Sequence, residues 1–253
     1  MTVELEIARM PRGGPDASWL DRRLQTDALE YLDRDDVDDD VKQKVIAGLD
    51  RMGTRTQQHD KNARIALDLV SDIPNPRILE LGAGHGKLSA RILELHPTAT
   101  VTVSDLDPTS VANVAAGALG ADPRVTTRVV DATAIDAEDN SFDLVVFALA
   151  FHHLPPAVAF RAIAEATRVG KQFLVIDLKR PRPVGLLLTL AVMAPFALVK
   201  PVVHDGFIST LRSYSRSAFI ALGKAADPQM RIRFLPQAFR LGPTPTVVVF
   251  SRS

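Results

Sequence analysis

The stretch Ile78–Ile92, ILELGAGHGKLSARI, is an apolar run that ends in an acid, passes through glycines at alternate positions and enters a helical pattern. Glycine is needed where backbone turns sharply or meets a ligand with no Cβ in the way, and Gly82, Gly84 and Gly86 supply that freedom. From Gly86 onward Leu88, Ile92 and Leu95 recur at helical spacing, so the free N–H groups of a first helical turn open beside the glycine loop. An anionic group is expected to dock there.

A nicotinamide-dinucleotide fingerprint would require a further glycine at position 87, which is lysine. What remains, Glu80-x-Gly82-x-Gly84-x-Gly86 with Ala83 inside the loop, resembles motif I of the class I S-adenosylmethionine-dependent methyltransferases. The segments that follow extend the resemblance. TVTVSDLDP, Thr100–Pro108, is a β-branched run ending in Asp105, where a second strand places an acid against a ribose, and Leu106 beside it offers an apolar contact to a purine. RVTTRVVDAT, Arg124–Thr133, ends its strand at Asp131. In the family a carboxylate there accepts from the adenine amino group, with the backbone N–H of Ala132 turned to the ring. SFDLVVFALAFHHLPP, Ser141–Pro156, resembles the fourth strand and its loop, and Phe147 near the strand's end joins the implied cofactor contacts.

The resemblance implies a Rossmann-like α/β fold with a seven-stranded, mostly parallel sheet in the order 3-2-1-4-5-7-6 and helices on both faces. It implies S-adenosylmethionine as cofactor and S-adenosylhomocysteine as product. Strands are expected near 77–81, 100–105, 125–130, 142–149, 172–178, 231–235 and 246–252, with intervening helices giving right-handed crossovers. Residues 1–16, with Pro11, Gly13, Gly14 and Pro15, read as a mobile arm. Val41, Val45, Leu49 and Met52 share one face of a helix, and the resemblance implies that the helices before the first strand lie across the cofactor mouth as a lid. The arm and lid occupy residues 1–55 and the methyltransferase domain residues 56–253. Asp33, Asp35, Asp36, Asp38, Asp39 and Asp40 read as an acidic, solvated helix start favoured by the helix dipole.

Val184–Val199, VGLLLTLAVMAPFALV, is uniformly apolar between basic flanks, but its 16 residues fall short of the roughly 20 needed to span a bilayer and Pro195 interrupts it. A helical insertion over 184–203 is expected instead, and the resemblance implies that it helps build the acceptor pocket. The 253 residues carry 30 basic and 30 acidic side chains, so no global field draws the chain to nucleic acid or an anionic membrane. Cysteine is absent, which removes disulfides, thiolate metal sites and cysteine nucleophiles together. No signal peptide is read at the N-terminus, and a cytoplasmic protein is expected.

Methyl transfer from a sulfonium is an in-line displacement whose main demand is positioning, and a base is needed only when the accepting atom must lose a proton. His152 and His153 lie just past the fourth strand, at the sheet edge where such folds hold ligands, and are the candidate bases, His153 ahead of His152. The stretch HDGFISTLRSYS, His204–Ser215, offers His204, Arg212 and Tyr214 as acceptor contacts, or else a solvated loop before a helix capped by Ser215 or Ser217. Asp177, ending the fifth strand, is a pocket candidate without a role. No metal site is expected, because the acidic set of the catechol-type methyltransferases has no match. The expected acceptor is a small, rather apolar molecule methylated at a hydroxyl oxygen; lipid or saccharide methylation, or a silent cofactor-binding relative, are the alternatives.

Overall fold

The computed structural model describes residues 3–34, 36–197, 201–236 and 244–252. Asp35, Val199 and the side chain of Pro195, which enter the readings above, lie outside the described set, as does the side chain of Phe196.

Seven strands pair in the order β3-β2-β1-β4-β5-β7-β6, as expected. They are β1 Arg77–Leu81, β2 Thr100–Asp105, β3 Val125–Val129, β4 Leu144–Ala148, β5 Phe173–Asp177, β6 Arg231–Phe234 and β7 Thr246–Ser251. The first five run parallel, and β7 pairs antiparallel with both β5 and β6. Burial along β4 and β5 is nearly continuous rather than alternating, because helices cover both faces there. On the edge strand β6, Arg231 and Arg233 are exposed, a placement that discourages further strand addition.

Period-two alternation sends successive side chains to opposite faces. Leu79, Leu81, Val145, Phe147, Phe173, Val175, Val248 and Phe250 form one face, packed against α7 (Pro156–Val169) and α10 (Arg216–Ala226) through Ala159, Ile163, Phe219 and Leu222. Ile78, Val101, Val103, Leu144, Val146, Leu174 and Ile176 form the other, packed against α4 (Gln58–Asp68), α5 (Lys87–Leu95) and α6 (Pro108–Ala116). Fully burying each large side chain contributes about 1.5–3 kcal/mol, so these two layers dominate the stability of the sheet.

The N-terminal segment is not a free arm. α1 (Val3–Ala8) packs on α7 and α10, with Ile7 and Met10 in the core. Behind it, buried Arg12 donates through Nη1 to the carbonyls of His152, Leu154 and Arg212 at 2.8, 2.8 and 3.0 Å. Proline and glycine had suggested mobility, but turns anchored by a buried guanidinium have the same composition. Next come α2 (Trp19–Arg23), a 3-10 turn at Tyr31–Asp33, and α3 (Asp39–Arg55), whose N-cap Asp38 accepts from Asp40 N.

The insertion is helical, as α8 (Pro183–Ala197). It buries Leu186 and Leu190 against α9 (Pro201–Arg212) while Val184, Leu187, Leu188 and Val192 stay exposed. Among the described residues no helix is long and apolar enough to cross a membrane.

Candidate active site

Strand order reverses direction between β1 and β4, which opens a crevice at the carboxyl ends of the strands. The glycine loop sits on one side of it. Gly82, Gly84 and Gly86 all take positive φ, at 62°, 53° and 68°. They do different work. A Cβ on Gly82 would lie 2.7 Å from the ring of Phe147, and one on Gly86 would lie 2.6 Å from Leu119 Cδ2, so both permit close packing. One on Gly84 would enter open space bounded only by Ile46 Cγ2 at 3.4 Å. Gly84 is therefore the position whose missing side chain leaves room for a ligand. Phe147, expected among the cofactor contacts, is instead buried beneath Gly82 and edge-on to Phe151, supporting the loop from below.

Glu80, expected among the cofactor contacts, does not face outward. It is buried, and one of its oxygens accepts from both the backbone N–H and the hydroxyl of Ser89 in the first turn of α5. Burial pushes its carboxyl up to about 7, against the pull of those two bonds. An internal carboxylate thus takes one first-turn donor of the helix end where an external anion is expected.

Asp105 closes the loop from β2: its Oδ2 accepts from Gly84 N at 2.8 Å and its Oδ1 from Asp107 N at 3.0 Å. Each oxygen keeps a second acceptor site for a ribose hydroxyl. Asp107 caps α6 by accepting from Thr109 N and Ser110 N, which leaves Asp105 free of that task. Leu106 is exposed beside it, an apolar surface on which a purine can lie. Asp131, also exposed, accepts from Thr133 through Oδ1, and Ala132 packs on the core below. Ala83 is held by its N–H to Ser104 O at 2.9 Å.

Helix α3 lies over this half. Gln43 bridges to Asp107 Oδ2 at 3.4 Å and Ser110 Oγ at 3.2 Å, and its Oε1 meets Nε2 of His85, whose Nδ1 is 2.7 Å from Asp50. The helix read as a lid thus reaches the glycine loop and the start of α6 through polar contacts.

The other half of the crevice gathers residues from four distant segments. His152 Nδ1 is 2.7 Å from Asp177 Oδ1 at the end of β5, and His153 Nδ1 is 2.7 Å from Asp33 Oδ1. The two Nε2 atoms face Glu30, at 3.5 Å from Oε1 and 3.7 Å from Oε2 respectively. Burial pushes Glu30 up to about 7, with His153 pulling the other way. Burial acts likewise on Asp33, but hydrogen bonds and charge from His153 and Arg212 outweigh it and bring the group down to about 2. His153 is the more open of the two imidazoles, its side chain 18% exposed against 4% for His152.

The acceptor contacts expected from His204–Ser215 need correction. The stretch is mostly helix, not loop, because it continues α9. Arg212 is buried and committed to Asp33 and to the carbonyl of His153. Tyr214 is fully buried, donating to Leu154 O at 2.7 Å beneath the Arg12 guanidinium. His204 is part-exposed, paired with Asp205 and edge-on to Tyr31. Ser215 caps α10, as one of the two readings had it. Nothing in the sequence marks Glu30 or Arg12, and Asp33, expected in a solvated acidic run, is instead paired with His153 and Arg212.

In comparison with known proteins, residues 78–172 match a family described as a methyltransferase domain. A malonyl-[acyl-carrier protein] O-methyltransferase of Geobacter sulfurreducens is 35% identical over 105 residues, covering 42% of this chain and 38% of that protein. An uncharacterized methyltransferase of Mycobacterium tuberculosis is 34% identical over 106 residues, 42% of this chain and 41% of that one. The chain thus spans about two fifths of the length of the curated relatives it matches. Among solved structures, the plantazolicin methyltransferase BpumL in complex with SAH superposes over 99% of both chains with a TM-score of 0.66 at 11% identity, a likeness of fold that includes the N-terminal helices.

Proposed function

Because residues 78–172 match a family described as a methyltransferase domain, we propose that the protein is a class I S-adenosylmethionine-dependent methyltransferase that moves a methyl group from that cofactor to a hydroxyl oxygen of a small, rather apolar molecule. The cofactor supplies a methyl group on a sulfonium, which already carries its leaving group. The residues present suit it. Asp105 would hold the ribose, Leu106 and Asp131 with Ala132 the adenine, and the backbone at Ala83 and Gly84 the approach beneath Gly84's open space. Glu80 would act through the loop it fastens to α5.

The observation that carries the acceptor assignment is the His153–Asp33 pair at the carboxyl edge of β4. A carboxylate on Nδ1 fixes the tautomer and leaves Nε2 as the proton-accepting nitrogen, the arrangement a general base needs. Exposed Val184, Leu187, Leu188 and Val192 on α8 favour an apolar acceptor, since α8 packs on α9, which carries His204 and Arg212. The SAH-bound fold neighbour supports the same reading of the cofactor.

The test is incubation of purified protein with methyl-labelled cofactor and a metabolite extract. Label recovered in a small molecule whose methyl group resists mild ester hydrolysis supports an ether-forming enzyme. Label in protein or nucleic acid rejects the acceptor class, and cofactor binding without transfer to any fraction supports a silent relative.

A further inference from the structure

Glu30, His152 and His153 come from segments more than 120 positions apart, yet their side-chain donor atoms all lie within 4.8 Å of one another. We propose that these three residues form a binding site for one divalent transition-metal ion of the zinc type, coordinated by the two Nε2 atoms and the Glu30 carboxylate.

Four observations carry this. First, the spacing fits. Ligands about 2.0–2.1 Å from a tetrahedral ion lie roughly 3.3 Å from one another, and the Nε2–carboxylate separations here are 3.5 and 3.7 Å. Second, the tautomers fit. Each imidazole has a carboxylate on Nδ1, Asp177 for His152 and Asp33 for His153. Metal-ligating histidines are held in just this way, which turns the Nε2 lone pair to the ion and raises its basicity. Third, Glu30 is buried and its Oε1 has no hydrogen-bond partner. The closest cation, Arg212 Nη1, is 3.9 Å from that oxygen and is already bonded to Asp33. A buried carboxylate oxygen left unbonded is costly, and an ion would satisfy it.

Fourth, charge fits. The carboxylates Glu30, Asp33 and Asp177 stand with two guanidinium groups, Arg12 and Arg212, so that ionised carboxylates outnumber the guanidinium groups when the imidazoles are neutral. That surplus favours a cation. Two imidazoles and a carboxylate are a donor set suited to zinc or iron rather than to magnesium or calcium.

Three protein ligands leave one tetrahedral corner for a water or an acceptor oxygen, and His153 is the ligand nearest solvent. This role rests on the methyl-transfer reading. A hydroxyl bound there would lose its proton more readily, and that task would pass from His153 to the ion. The coordination itself does not depend on that reading.

The test uses the full chain, stripped with a chelator and then titrated with zinc chloride in the absence of cofactor, by competition with a chromophoric indicator. One zinc per chain with a dissociation constant below about 1 µM is expected. Glu30→Gln and His152→Ala should each weaken it at least a hundredfold, with cofactor affinity and far-ultraviolet circular dichroism checking that each variant folds. Should the variants not fold, cobalt-substituted wild-type protein decides the matter. Its proton NMR spectrum should show two hyperfine-shifted exchangeable signals, one for each Nδ1–H. Failure of the wild-type chain to bind either ion, cobalt binding without those signals, or zinc affinity unchanged in folded Glu30→Gln would overturn the proposal. Since these readouts need neither cofactor nor turnover, a failed methyl-transfer assay leaves them standing.

Discussion

Asp33 holds Nδ1 of His153 at 2.7 Å across 120 positions of sequence, and the same carboxylate pairs with Arg212. One acid thus orients an imidazole and neutralises a buried guanidinium. Asp33→Ala would leave buried Arg212 with only Glu30, 3.9 Å away, and stripping one member of a largely buried pair costs roughly 3 kcal/mol. Acceptor turnover should fall by at least tenfold in the same variant, while cofactor affinity stays within a factor of two. Denaturant melts and single-turnover assays check the two effects, and unchanged turnover in a folded Asp33→Ala protein would sink the assigned orientation of His153.

His153→Ala should lower turnover by about a hundredfold or more, the usual scale for a general base, with cofactor affinity nearly intact. The steady-state rate and calorimetric cofactor binding are measured side by side. A loss seen only in thermal stability would make His153 a structural residue.

Asp105→Ala removes charge-assisted acceptors for the ribose, each contributing about 1.5–3 kcal/mol, and also frees Gly84 N and Asp107 N. Cofactor affinity should drop at least tenfold by calorimetry. Gly84→Val should abolish binding, because valine opposes a φ of 53° and its side chain would fill the space under Ile46. Wild-type affinity in either folded variant would relocate the cofactor.

Glu80, raised by burial from 4.5 to about 7, makes stability depend on pH. Between those values the native state keeps a proton that the unfolded chain has released, so stability declines as pH rises through that window and levels off above it. The decline attributable to this group is about 3 kcal/mol. Glu80→Gln should flatten the curve between pH 4.5 and 7 by that amount relative to wild type. Glu30 contributes a slope of the same sign to both proteins and cancels in the difference. Parallel curves for the two proteins would contradict the buried state of Glu80.

On α8, Leu187→Ser and Leu188→Ser change side chains that are exposed. Both variants should fold normally and weaken acceptor turnover, read as a raised KM with cofactor affinity unchanged. Equal KM values across the pair would leave this face to some other contact.

The sheet was readable because its signals are local. An apolar run, a glycine loop and an acid closing each strand all fall within a dozen residues, so Glu80, Asp105 and Asp131 could be placed by order along the chain. Likewise Asp107 before Pro108 reads as a cap from two adjacent residues. The other cluster was readable only in part, for the opposite reason: His152, His153 and Asp177 stand out at the sheet edge, but their partners do not. Glu30 meets His152 and His153 only after the chain has crossed the sheet, and no spacing in the sequence records that meeting. Arg212 and Tyr214 were recognised as special but misassigned, since polar residues that fasten a buried network and polar residues that await a ligand are of the same types. Arg12 gave no signal at all: its partners are three backbone carbonyls, which any sequence could provide.

Those three carbonyls have a consequence for biosynthesis. Residues 12–33 leave the ribosome long before the segments around positions 152 and 212 that they fasten, so during that interval their charged groups face water and have nothing to organise. The glycine-loop half, built from residues 77–148 and closed by neighbouring parallel strands, can assemble while translation is still under way. Chains stalled shortly after β5 should therefore be able to gather the cofactor side in a protease-resistant form while the N-terminal segment is still cleaved, and the first appearance of protection near Arg12 should coincide with emergence of α9.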